Sequence, residues 1–79
     1  MIIEEFPYEA YVELEGNPHF MGRIVVNQLK SSYNAEIDIV HKETHKIYQH
    51  VDILFGESGP KEALDSAYQK LAKYVQGEV

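Results

Sequence analysis

The chain has 79 residues, no cysteine, and thirteen acidic against seven basic side chains for a net charge of −6. Without cysteine there is no disulfide framework and no thiolate metal cluster. The acidic balance weighs against duplex nucleic acid and anionic membranes, both of which attract Lys and Arg, and it permits cations and basic partners. A chain of this size buries only about 60% of the surface it exposes when unfolded. Its 44% hydrophobic fraction suits a packed core rather than a disordered segment.

Met1-Ile2-Ile3-Glu4-Glu5 lacks the positive region and long apolar core of a secretion signal, and no apolar run reaches spanning length. The expected location is the cytoplasm.

Apolar residues first alternate with polar ones, the period of a half-buried strand. The first strand is expected over Tyr8 to Glu15, with Tyr8, Ala10, Val12 and Leu14 on one face and Pro7 at its edge. Gly16-Asn17-Pro18 is turn chemistry. A second strand follows from His19 to Leu29, with Gly22 marking a bulge or a close approach. Lys30-Ser31-Ser32 interrupts it. The third strand runs Tyr33 to Lys42, and after a polar turn near Thr44-His45 the fourth runs Ile47 to Phe55, with Val51, Ile53 and Phe55 inward.

At Ser58-Gly59-Pro60 the rhythm changes. Leu64, Ala67, Tyr68, Leu71, Ala72 and Val75 recur every three or four positions and form one helical stripe. Ser58 suits the N-cap and Pro60 the first turn. Glu62 and Asp65 favour the positive end of the dipole, Lys70 and Lys73 the negative end, and Gly77 the stop.

The expected architecture is α+β: a four-stranded antiparallel β-meander followed by one C-terminal helix packed on one face (ββββα), a single domain over residues 1–79. Four strands spaced ~4.8 Å apart span roughly 19 Å. A helix is only ~10–12 Å thick. The rest of the inner face needs the Met1-Ile2-Ile3 arm with Phe6, a curled sheet, or another subunit.

Matching inward faces pairs Leu14 with Phe20 and Ala10 with Ile24 in the first hairpin, and Ile37 with Ile53 and Ile39 with Val51 in the second. The opposite face then carries Tyr11, Met21, Val25, Val40, Tyr48 and Leu54 among carboxylates, a pattern expected of a protein contact surface. Arg23 falls beside Tyr11 and between Glu9 and Glu13, an anchor for such a contact. Asp38 and Asp52 face each other, with Glu36 and His50 on the same side. His41, His45 and His50 gather near the second hairpin, so His41, His45, His50, Asp38 and Asp52 are the candidate metal ligands. No phosphate-binding loop, nucleophile elbow or catalytic triad spacing occurs.

Gly59-Pro60-Lys61-Glu62-Ala63 through Ala67 resembles in part the second helix of double-stranded-RNA-binding domains, and Gly16-Asn17-Pro18-His19 resembles the hairpin of that family. The resemblance covers under half the chain, and of the family's lysines it places only Lys61. Glu62 and Asp65 lie where the family has cations, no helix precedes the first strand, and four strands replace three. Glu62-Ala63-Leu64 with Ala67 is also similar to the last helix of small antitoxin-like sheet-plus-helix proteins, whose DNA-binding part has no counterpart here.

The expectation is a small acidic protein-interaction or regulatory module that acts by binding, as a homodimer, with no enzymatic activity and no cofactor. Its contact residues are Tyr11, Met21, Arg23, Val25, Val40, Tyr48 and Leu54. One alternative is a nucleic-acid-associated protein with a sheet and helix like those of double-stranded-RNA-binding domains, stacking single strands on Tyr11 and Tyr48. The other is a small metal-dependent enzyme.

Overall fold

A computed structural model describes residues 5–77 of the chain. Four strands, β1 (Tyr8–Glu13), β2 (Phe20–Gln28), β3 (Tyr33–His41) and β4 (Ile47–Glu57), lie side by side in sequence order and pair antiparallel throughout. One helix, α1 (Pro60–Val75), follows. The arrangement is the α+β ββββα meander that the change of period implied.

The first turn forms as its residues dictate. Gly16 takes φ +78°, and the Asn17 side-chain oxygen accepts the His19 and Phe20 amides, each at 3.0 Å. The first hairpin keeps the expected register, with Ala10 opposite Ile24. Gly22 pairs regularly on both sides, so it is a close approach and not a bulge. Leu71 of α1 lies directly over it.

The second hairpin departs from expectation. Its pairing shifts three times, at Tyr33/Ala35, Ile37/Asp38 and Ile39/Val40. Ile37 therefore pairs with Asp52 rather than Ile53, and Ile39 with Gln49 rather than Val51. Residues paired across strands share a face, so Ile53, opposite Glu36, lies on the outer face and not inward. Phe55 is 68% exposed. Leu54 and Asp52 turn to the helix side instead, Leu54 packed on the core and Asp52 3.5 Å from Lys70 of α1. An extra residue in one strand of a pair re-aims its neighbours, and β4 carries several.

Gly59, not Ser58, occupies the N-cap of α1, with no side-chain cap, and Pro60 follows at the first position. Glu62 in the first turn and Lys73 in the last complement the helix dipole, and Gly77 at φ +79° ends the helix. Ala63, Leu64, Ala67 and Leu71 are its buried stripe.

The core joins that stripe to Ile24, Val26, Ala35, Ile37 and Ile39. Helix α1 packs on β2, β3 and β4. The inner side of β1 is covered only in part, by the contacts of Tyr8, Ala10 and Val12 with the core. Phe6 reaches the core and lies 5.6 Å from the Tyr33 ring. The expected arm of Met1-Ile2-Ile3 falls outside the described residues.

Candidate functional site

The outer face is where an apolar contact surface was expected, and most of its apolar members are not available there. Val40 and Val25 are buried, and Leu54 belongs to the helix side. Val40 owes its burial to the turn between β3 and β4. His45, held at φ 60°, stacks on Tyr11 with ring centroids 4.4 Å apart, and Lys42 reaches Glu13 at 3.1 Å. Both targets stand on β1, two strands away, so the turn folds back over Met21 and Val40. Tyr48 sits at the end of the sheet, its ring centroid 4.5 Å from that of Phe20 and 5.7 Å from that of His41. The two tyrosines of the stacking alternative therefore already have ring partners.

A polar row occupies the middle of this face instead. Tyr11, Arg23, Asp38 and His50 are successive register partners across β1, β2, β3 and β4. Asp38 is 1% exposed, a buried carboxylate on the face away from the helix. Its Oδ1 lies 2.9 Å from His50 Nδ1 and its Oδ2 lies 3.4 Å from Arg23 Nη1. A buried charge needs such partners, because desolvation penalises it heavily otherwise. Arg23 also bonds Glu9 at 2.8 Å and lies 4.0 Å from Glu36. The expected contact with Glu13 is absent, since Glu13 pairs with Lys42.

The electrostatics of the row follow from one guanidinium serving three carboxylates. Burial works against the Arg23 charge, but hydrogen bonds with Glu9 and Tyr11 outweigh it and raise its pKa. The Glu36 carboxyl is pushed above its ordinary value, first by the hydrogen bond it shares with Asp38, then by burial and by repulsion from the same carboxylate. His50 and Arg23 offset part of that rise.

Of the expected metal ligands, the fold brings Asp38 and His50 together and adds Glu36. The ligand atoms of these three residues lie within 4.8 Å of one another. Asp52 is not opposite Asp38 but on the other face with Lys70. His41 points to Phe20 and Tyr48, and His45 to Tyr11, so neither joins the group. Glu36 was legible as a neighbour on the same face of β3. Its convergence with His50 depends on the shifted pairing of β4.

The two edges of the sheet differ. β1 is six residues long, follows Pro7, and carries Glu9 and Glu13. β4 is eleven residues long and contains neither Pro nor Lys. Ile47 is 57%, Tyr48 60% and Phe55 68% exposed along it. Beside Tyr48, a groove of about 520 Å³ opens between β4 and the end of α1, lined by Leu14, Phe20, Ile39, Tyr74 and Val75.

No protein-family model, curated protein or solved structure matches this chain. The fold and the geometry of the sheet are therefore what bear on function. Among the described residues no helix is long and apolar enough to cross a membrane.

Proposed function

We propose that this chain is a binding module that acts as a homodimer, two copies joining along β4. The observation that carries the reading is the β4 edge. An edge strand offers a row of unpaired amides and carbonyls, and proteins usually guard it with Lys, Pro or short length. β1 is guarded in that manner and β4 is not, apart from its bulges. A second copy presents the same edge, and antiparallel pairing of β4 with β4 closes on a two-fold axis. A β4-to-β1 contact would propagate instead, and Pro7 with the two glutamates of β1 opposes it. The pairing would shelter Ile47 and Phe55, whose exposure a lone protomer leaves unexplained, and would leave the polar row facing solvent.

Size-exclusion chromatography with light scattering tests this. The expected result is a species of twice the 9.1 kDa protomer mass at micromolar concentration. Replacing Ile47 and Phe55 by Lys should return it to the protomer with the fold kept, because both side chains are exposed and neither packs against the core. A 9.1 kDa species alone at high micromolar concentration would refute the reading.

A further inference from the structure

We propose that Glu36, Asp38 and His50 form a binding site for a divalent transition metal ion, zinc above all, on the outer face of the sheet. Three observations converge. The first is geometry: one nitrogen and two carboxylate oxygens from adjacent strands already lie within 4.8 Å of one another. Zinc ligands at about 2.0–2.1 Å from the metal stand ~3.3 Å apart in a tetrahedron. The 2.9 Å between His50 Nδ1 and Asp38 Oδ1 needs to open only slightly. Glu36, at 37% side-chain exposure, has room to close the remainder.

The second is preorganisation. Asp38 is 1% exposed, and Arg23 holds its Oδ2 at 3.4 Å, leaving Oδ1 turned toward His50. Carboxylate ligands are commonly fixed by such a hydrogen bond to the oxygen that does not ligate. His50 stands directly opposite Asp38 in register, so the backbone fixes the spacing of both. The third is charge. Glu9, Glu36 and Asp38 share the single guanidinium of Arg23, which leaves two negative charges in surplus when all three are ionised. Among the described residues no Lys pairs with any of the three. A dication at the open side of Asp38 would balance the group.

The donor set selects the ion. An imidazole with two carboxylates favours zinc and its transition-metal neighbours over magnesium or calcium, which prefer oxygen alone. On binding, the neutral imidazole ligates through Nδ1 and carries its proton on Nε2. Any proton shared by Glu36 and Asp38 passes to solvent. Three protein ligands leave a fourth position for water, on the exposed side where His50 is 49% accessible.

The test is calorimetric titration of the full chain with zinc chloride, beside His50→Gln and Glu36→Gln, with the His50 ring followed by NMR. The expected result is one zinc per chain, an affinity at least tenfold weaker in either variant, and a shifted His50 ring signal in the parent. His50 and Glu36 are partly exposed, so both variants should fold, and circular dichroism verifies it. The proposal is overturned if no saturable binding occurs below about 1 mM zinc. It is equally overturned if both variants bind as the parent does, for the ion would then sit on His19, His41 or His45. The oligomeric state measured in the same samples reports separately on the β4 dimer.

Discussion

Replacing Gly22 by Ala tests how α1 is seated on the sheet. A methyl group there would stand 2.5 Å from Leu71 Cδ2 and 3.5 Å from Val12 Cβ. Ordinary carbon contacts lie at about 3.5–4.0 Å, so the Leu71 side chain must retreat by roughly 1 Å. It is 2% exposed and lies in the core, and it borders a groove of about 390 Å³ with Val12, Tyr68 and Val75 into which its end can shift only by giving up packing. Overpacking of this kind costs about 1–3 kcal/mol. The alanine restricts the unfolded chain and returns about 0.4–1 kcal/mol. The net expectation is a loss of about 1.5 kcal/mol, which for a domain this small lowers Tm by roughly 6–12 °C. Leu71→Ala alone should cost about 2–5 kcal/mol through the cavity it leaves. The double variant should be less unstable than the sum by about 1–2 kcal/mol, because truncation removes the clash and the new methyl fills part of the void. Urea and thermal unfolding followed by circular dichroism give all four values. If Gly22→Ala is as stable as the parent, or the two changes add to within about 0.5 kcal/mol, the seating is wrong.

Three further outcomes are expected. Glu36 has a folded-state pKa above its ordinary 4.5, so the folded state holds more protons through that window and loses stability as pH rises across it. Measured in chelator, Glu36→Gln should therefore gain about 0.5 kcal/mol at pH 7, a modest figure because the side chain is partly solvated, and the gain should vanish below about pH 4. A variant less stable at pH 7 and equal at low pH would reverse the sign and refute the repulsion. Arg23→Met should lose about 3 kcal/mol by leaving Asp38 buried without its cation, and Asp38→Asn in the same background should restore part of it; denaturant melts showing no rescue would break that link. Asn17→Ala removes the one oxygen that accepts both the His19 and Phe20 amides and should cost about 1 kcal/mol in the same melts, whereas an unchanged midpoint would mean that Gly16 alone makes the turn.

How far the fold could be read depended on the clarity of alternation. In β1 Tyr8, Ala10 and Val12 alternate with Glu9, Tyr11 and Glu13, and in β2 and β3 the polar residues Arg23, Asn27, Glu36 and Asp38 all share the face opposite Ile24, Val26, Ala35, Ile37 and Ile39, so one parity is clearly the inner. The helix was legible from the recurrence of Leu64, Ala67, Tyr68, Leu71, Ala72 and Val75, of which Leu64, Ala67 and Leu71 are buried together with Ala63, while Tyr68, Ala72 and Val75 stay exposed. β4 offered no such guide. Ile53, Leu54 and Phe55 are consecutive and apolar, so either parity satisfies the pattern, and strict alternation from Val51 chose Ile53 and Phe55 where the structure packs Leu54, half-buried, on the core. The contact surface was misread for a related reason. Register assigns a residue to a face but does not say what the next turn lays upon it, and Lys42 and His45 cover the part of that face that holds Val40.

The same irregularity decides the chemistry of the outer face. Were β4 regular from His50 onward, Asp52 would stand opposite Glu36 and add a fourth carboxylate to the three already beside Arg23. The extra residue at Val51 prevents this. His50 stays opposite Asp38, while Asp52 turns through the sheet to Lys70 and Ile53 takes its place facing Glu36. A repulsive acidic patch becomes one nitrogen and two oxygens bordered by an apolar side chain, with the displaced charge paired elsewhere. A bulge interrupts ladder hydrogen bonds, and here the strand that bears it is also an edge, where only one neighbour's ladder is disturbed. An edge strand can therefore carry the distortion that a site requires at less expense to the sheet than a central strand would. Both proposals for this chain thus rest on β4, whose bulge at Val51 places His50 in the site and whose outer edge is the surface offered to a second copy.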